Sequence, residues 1–307
     1  MPKDFISLAD WSPQELRGML ARAQELKKLL REGQRPQTLE ARCIALFFEK
    51  PSLRTHVTFE AGVTQLGGHA IWLRPDQVGV GTRETPADVA ANLSRWLDGI
   101  VARTYRHALL EEFAEAARIP VINALTDLLH PCQVMADFQT VAEYGPLESA
   151  TLAYVGDGNN MANSLMLGAA VLGLTLRLAT PASHRPPAPL QERAQSLSEK
   201  SGARISWSDD PSEAVRAADF VYTDVWASMG QESERESRRA IFQPYQLNAE
   251  LMRGAPDARV MHCLPAHRGE EITDEVLDGS RSIVFEQAEN RLHAQKAILE
   301  HLLLRKA

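Results

Sequence analysis

The sequence predicts an α/β fold made of two doubly wound parallel-sheet domains, and three observations carry that expectation. Short, nearly all-apolar runs bounded by turn residues recur along the chain, stretches of helical periodicity follow them, and 307 residues exceed what one hydrophobic core usually organises. Continuous apolar runs suit strands covered on both faces, and alternation of strand with helix is the pattern of a parallel sheet with crossover helices.

The elements can be justified in order. Ser12-Pro13-Gln14-Glu15 is a capping box with proline at the first helical position, and Leu16, Met19, Leu20, Ala23 and Leu26 follow at helical spacing. The run Cys43-Ile44-Ala45-Leu46-Phe47-Phe48 reads as a buried strand, leading through Glu49-Lys50-Pro51-Ser52 into a helix through Phe59 to Leu66. Further strands are expected at 99–103, 120–123, 151–156, 175–179, 220–224 and 259–262. A helix is expected over 134–144 behind His130-Pro131, and its end at 138–144 with Gly145-Pro146 is read as the inter-domain link. The proline-rich 181–189 is expected as a surface loop, and the glycine-containing 76–83 as a lid or subunit-contact segment. No repeat of solenoid period is apparent.

Composition narrows the class. The chain is 44% hydrophobic and 24% charged, with 33 basic against 40 acidic side chains for a net charge of −7. That balance is ordinary for a globular protein and argues against a nucleic-acid or anionic-membrane partner, so any anion site has to be local. The three cysteines, Cys43, Cys132 and Cys263, cannot pair completely and show no C-x-x-C spacing, so neither a disulfide framework nor a thiolate metal site is suggested. A reducing cytoplasm is the simplest home, since no signal-type segment or membrane-length apolar run occurs.

Reactive side chains collect where strands are expected to end, which is where such sheets bind ligands. Ser52, Arg54 and Thr55 at a helix start combine hydroxyls, a guanidinium and free backbone N–H groups, an arrangement suited to phosphate, or else to a simple serine cap. Arg103 closes another strand, from which a guanidinium could reach the same anion. His130, ahead of a helix opened by Pro131, is placed to stay neutral and donate one hydrogen bond to a carbonyl, with Gln133 on the adjoining turn; a capping role fits it equally. No G-x-x-x-x-G-K-[ST] loop occurs, and Gly156-Asp157-Gly158-Asn159-Asn160-Met161 lacks the third glycine of the dinucleotide fingerprint, which weighs against a nicotinamide enzyme. The two asparagines there could bind a carboxylate or cap the helix. Asp224, four residues before Ser228, suits an ammonium group or a turn. Met261-His262-Cys263-Leu264-Pro265-Ala266-His267-Arg268-Gly269-Glu270-Glu271 packs a thiol, two imidazoles, a guanidinium and two carboxylates into one segment.

Ser52-Leu53-Arg54-Thr55, His130-Pro131-Cys132-Gln133, Asp224-Val225-Trp226-Ala227-Ser228-Met229-Gly230 and His262-Cys263-Leu264-Pro265-Ala266-His267-Arg268-Gly269 resemble, in that order and spacing, the signatures of ornithine carbamoyltransferases, from about residue 5 to about 302. The first two are shared in similar form with aspartate carbamoyltransferases and identify the carbamoyl phosphate half; the last two are the specific ones. One departure is visible: the family's usual second arginine after Arg54-Thr55 is His56 here.

The resemblance implies transfer of a carbamoyl group from carbamoyl phosphate to the δ-amine of L-ornithine, in a cytoplasmic homotrimer without metal or cofactor. Its chains have two α/β domains with the active site in the cleft between them. Residues 1–143, joined by the C-terminal helix 290–307, would bind carbamoyl phosphate, and residues 144–289 would bind ornithine. Ser52, Leu53 through its backbone, Arg54, Thr55 and the position of His56 would hold the phosphate, with Arg103, His130, Gln133 and Arg291, while Gln77 would reach into a neighbouring subunit's site. Cys263 and Leu264 would lie between the substrates, and Asn160, Asp224, Ser228 and Met229 would take the amino acid. Arg103, His130 and Cys263 are the expected catalytic groups; His267, Arg268, Glu270 and Glu271 are expected to shape their loop. Another acceptor amine such as putrescine is the nearest alternative, ahead of a nucleotide-linked dehydrogenase or a non-catalytic binding protein.

Overall fold

The computed structural model describes residues 3–227 and 234–304. The chain divides into two units, one of residues 1–139 with 289–307 and the other of residues 140–288. Each holds one parallel sheet, as the strand–helix alternation predicts.

In the first unit the strands are β1 (Cys43–Phe48), β2 (His69–Leu73), β3 (Gly99–Arg103) and β4 (Val121–Leu125), in the order β2-β1-β3-β4, all parallel. Ala45 and Phe47 of β1 and Ile100 and Ala102 of β3 share a core with Val89, Leu93, Leu110 and Phe113 from the helices Pro86–Trp96 and His107–Ala116. The alternate residues Ile44, Leu46 and Val101 point to the opposite face and are equally buried, which explains the unbroken apolar runs. The first helix, Pro13–Arg31, starts at the capping box: Ser12 Oγ accepts from Glu15 N, and Glu15 reaches back to Ser12 N at 3.1 Å. The last helix, Val284–Leu303, contributes its C-terminal part to this unit, where Lys27 Nζ donates to Asn290 Oδ1 (2.8 Å) and Arg22 pairs with Glu300 (2.6 Å).

The second unit holds β5 (Thr151–Val155), β6 (Thr175–Ala179), β7 (Arg204–Ser208), β8 (Phe220–Thr223) and β9 (Arg259–His262), in the order β7-β6-β5-β8-β9, again all parallel. Its central helix, Asn160–Leu172, is buried along nearly its whole length, so it carries no polar face.

Four local expectations change. The edge strands β2 and β7 are not among the expected strands: β2 is only partly buried although Ala70 to Leu73 are all apolar, and β7 alternates polar with apolar residues over just five positions. The helix behind His130 begins at Pro131 and ends at Ala142, because proline already fits its first turn. Segment 181–189 is not wholly loop: Ala182–His184 forms a 3-10 turn, and Ala188 and Pro189 open the helix Ala188–Ser201. Segment 76–83 starts inside one helical turn, Pro75–Val78, closed by Gly79 in the left-handed region at φ 69°.

Candidate active-site residues

Each sheet reverses its winding at one point, and the chemical groups gather beyond the carboxyl ends of the strands there. In the first unit that point lies between β1 and β3, where Phe48 pairs with Arg103. The chain leaves β1 through Lys50, buried with its ammonium 4.6 Å above the Tyr105 ring, and reaches Ser52, whose Oγ caps the helix Leu53–Gln65 by accepting from Thr55 N. The backbone N–H groups of the first turn carry the positive end of the helix dipole.

Thr55 is the focus of the cluster. Its buried hydroxyl oxygen accepts from Arg291 Nη2 at 2.6 Å and from Arg103 Nη1 at 3.3 Å. Arg291 Nη1 also donates to Gln133 Oε1, and Gln133 Nε2 donates to Asp137 Oδ1 at 2.8 Å. Arg103 and Arg291 are 7% and 3% exposed, so two cations share one oxygen where water screens them little. An anion held there would neutralise their mutual repulsion. His130, also buried, is driven well below the ordinary histidine range by desolvation and then by the Arg291 and Arg103 charges, so it is a neutral imidazole. Burial pushes the neighbouring Cys132 thiol up to about 12, and it donates to Asn123 O: it is structural.

The structure therefore brings Thr55, Arg103, Gln133 and Arg291 into direct contact, with Ser52 capping the same turn. Leu53 is an exposed side chain, consistent with a role through its backbone alone. Gln77 is exposed and makes no hydrogen bond to this cluster among the described residues. His56 packs against Phe48 and Trp72.

In the second unit the reversal lies between β5 and β8, where Val155 pairs with Thr223. After β5, Gly156 takes φ 147°, and Gly158 allows residues 184–186 to approach: an added Cβ would sit 2.3 Å from His184 O. Asn159 caps the next helix, its Oδ1 accepting from Met161 N and Ala162 N, while its Nδ2 donates to Asp224 Oδ2 at 2.8 Å. Asp224 Oδ1 accepts from the Cys263 thiol at 3.0 Å. The expected Asp224 and Cys263 thus meet, and the asparagine joining them is Asn159; Asn160 is the first residue of the helix. Ser228 and Met229 lie outside the described residues.

Sequence reading did not single out Arg238, which helps to hold this arrangement. Arg238, 6% exposed, pairs with Asp157, donates through Nε to Trp226 O, and lies 5.2 Å from the Phe242 ring. Burial lifts the Asp157 carboxyl to about 7 against the pull of Arg238. Beyond β9, His262 accepts Leu264 N at its Nδ1 (2.8 Å) and faces Glu271 Oε1 with its Nε2 (3.1 Å). These contacts assign the proton to Nε2 and fix Leu264, whose φ of 58° is unusual for a residue with a side chain. Glu271 also accepts from His267 N, and Arg268 pairs with Asp274 and Asp278, so the second half of this motif shapes the loop.

Ligand-type atoms of Asp224, His262 and Cys263 lie within 4.8 Å of one another, as do those of His267, Glu270 and Glu271. Both nitrogens of His262 are already engaged, and Glu270 is paired with Arg235 at 2.6 Å, so neither group presents a ready ligand set.

A parallel α/β unit with buried guanidinium groups at its switch point, followed by a second with a carboxylate–thiol pair at its own, has the architecture of the carbamoyltransferase class. Residues 3–143 match the family model described as aspartate/ornithine carbamoyltransferase, carbamoyl-P binding domain, and residues 148–302 match its Asp/Orn binding domain. The chain belongs to the aspartate/ornithine carbamoyltransferase family. It is 50% identical over 303 residues to the ornithine carbamoyltransferase of Anoxybacillus flavithermus, covering 98% of this chain and 96% of that one. The anabolic ornithine carbamoyltransferase of Pseudomonas aeruginosa is 49% identical over 303 residues, 98% of this chain and 97% of its own. Among solved structures, the ornithine carbamoyltransferase of Pyrococcus furiosus superimposes with a TM-score of 0.96 at 44% identity, over 100% of this chain and 98% of that one.

Proposed function

We infer that this chain transfers the carbamoyl group of carbamoyl phosphate to the δ-amine of L-ornithine, giving L-citrulline and phosphate. Near-complete coverage by ornithine carbamoyltransferases at about half identity is the observation that carries the reading.

The donor half is read from charge. Phosphate sits on the first turn of the helix Leu53–Gln65, taking the Ser52–Thr55 segment and the Leu53 backbone, with Arg54, Arg103 and Arg291 neutralising it as it leaves. Neutral His130 donates to the carbonyl oxygen of the carbamoyl group, and Gln133 orients the Arg291 fork while keeping a second amide hydrogen for substrate. These contacts strengthen as charge develops on the oxygens, so they act on the transition state more than on the ground state.

The acceptor has to attack as a neutral amine, although an alkyl ammonium resembles lysine with a pKa of ~10.4. Cys263 and Leu264 border the reacting amine, and Asp224 with Asn160, Ser228 and Met229 holds the amino-acid head. The thiol–carboxylate contact supports this reading, because it keeps a proton-accepting pair beside the amine.

Assembly is read as a homotrimer in which Gln77 serves a neighbouring copy's site; its exposure, and that of Leu53, Val57 and Trp72 in the same unit, supports this. A cytoplasmic location agrees with three free cysteines. No helix among the described residues is long and apolar enough to cross a membrane. The deciding assay measures carbamoyl transfer by purified protein to L-ornithine and to putrescine side by side. Citrulline should dominate; a preference for putrescine, or no product at saturating substrates, sinks the reading. Light scattering on the same preparation should give three chains per particle or a multiple of three.

A further inference from the structure

We propose that His56 is a positioning residue of the carbamoyl phosphate site, working through the packing of its ring and not as a ligand of the phosphate; the proposal rests on the reading of Ser52–Thr55 as that site. The imidazole centroid lies 4.5 Å from the Trp72 ring at 45° and 5.8 Å from the Phe48 ring, edge-on at 79°. Its Nε2 is 3.1 Å from Glu60 Oε2, one turn further along the helix. These neighbours come from three elements: Phe48 ends β1, Trp72 lies in β2, and Glu60 belongs to the helix that Ser52 caps.

The position of each element explains why the wedge matters. β2 is an edge strand paired only with β1, and its residues are at most partly buried, so the His56–Trp72 contact bridges a gap between this sheet edge and the helix start. The ring closes that gap one residue after Thr55, on which Arg103 and Arg291 converge. An imidazole packed against two aromatic rings gives up both contacts if it swings away from them towards the phosphate. Where an arginine at this place would add a cation, this chain has a spacer, and the phosphate is left to Arg54, Arg103, Arg291 and the helix N-terminus.

Two substitutions separate shape from hydrogen bonding: His56→Phe keeps a ring without a donor, and His56→Gln keeps a donor without a ring. His56→Gln should raise KM for carbamoyl phosphate about tenfold with KM for ornithine unchanged, and His56→Phe should recover most of that loss. Trp72→Ala should reproduce the glutamine defect and add little to it in the double variant. The opposite order, with Gln near wild type and Phe impaired, overturns the proposal, as do equal losses or no loss in both. Stabilisation of each protein by inorganic phosphate, followed as a rise in Tm, must rank the variants in the same order. That measurement needs no turnover, so a wild type that makes no citrulline would sink the transferase reading and leave the His56 proposal to be judged by itself.

Discussion

Thr55 shows how one side chain organises a site. Its hydroxyl is small, yet it takes two guanidinium donors that would otherwise face each other across a dry space. Thr55→Val keeps the volume and removes the acceptor, leaving those donors short of a partner at about 1.5–3 kcal/mol for a charged bond. KM for carbamoyl phosphate should rise about tenfold or more, with ornithine binding spared; unchanged KM would show that the guanidinium groups are fixed elsewhere. Cys263 is proposed to serve the other substrate. Cys263→Ala should raise KM for ornithine and lower kcat, since it removes the thiol that donates to Asp224. Unchanged kinetics for that variant would take Cys263 out of the site. Both residues were legible in the sequence because each stands within a short motif. Arg238 was not, because its partner Asp157, 81 residues earlier in the chain, is brought to it by folding.

At the scale of elements, the turns after β5 and β8 depend on a third piece of chain. Arg238, on the helix Arg235–Phe242, grips Asp157 behind β5 and the Trp226 carbonyl behind β8, while Asn159 ties the same two turns through Asp224. Removing one partner of a buried ion pair strands the other, at about 3–5 kcal/mol where the survivor stays charged and less where it takes a proton, as Asp157 does below about 7. Arg238→Met should therefore destabilise the second unit by that order in urea unfolding and raise KM for ornithine. Asp157→Asn in the same chain should restore part of the stability by removing the stranded charge; a double variant no more stable than the single would show that the pair is not what holds the turns. Strand content was legible in proportion to burial. β1, β3 and β5 run through a core covered on both faces and read as apolar runs, whereas β2 holds only a four-residue apolar run straight after a helix and Gly67-Gly68, and β7 alternates polar with apolar residues over only five positions, signals too short to stand apart from their flanks.

At the scale of the molecule, the chain's last helix returns to the first unit from residue 289 onward and brings both Arg291 and a buried base with it. Arg291 is expected from the family resemblance alone; His293, two residues on, gives no signal, since nothing in the sequence tells that it is 1% exposed. Burial, and then the charges of Lys296, Lys27 and Arg31, push His293 down to about 3, and Glu289, 3.9 Å away, does not offset them. Its imidazole is neutral in the folded chain but takes a proton below about 6.5 once unfolded. The unfolded state thus binds more protons between about 6.5 and 3, so the full stability present above 6.5 is lost progressively as pH falls through that window. At pH 5 this one residue should lower the unfolding free energy by about 2 kcal/mol relative to pH 8. His293→Leu removes the titration while keeping an apolar side chain. The difference between variant and wild type should therefore move in the variant's favour by that amount between pH 8 and pH 5, with the carboxylates common to both cancelling. A difference independent of pH in urea titrations would show that His293 is solvated or paired in the folded protein.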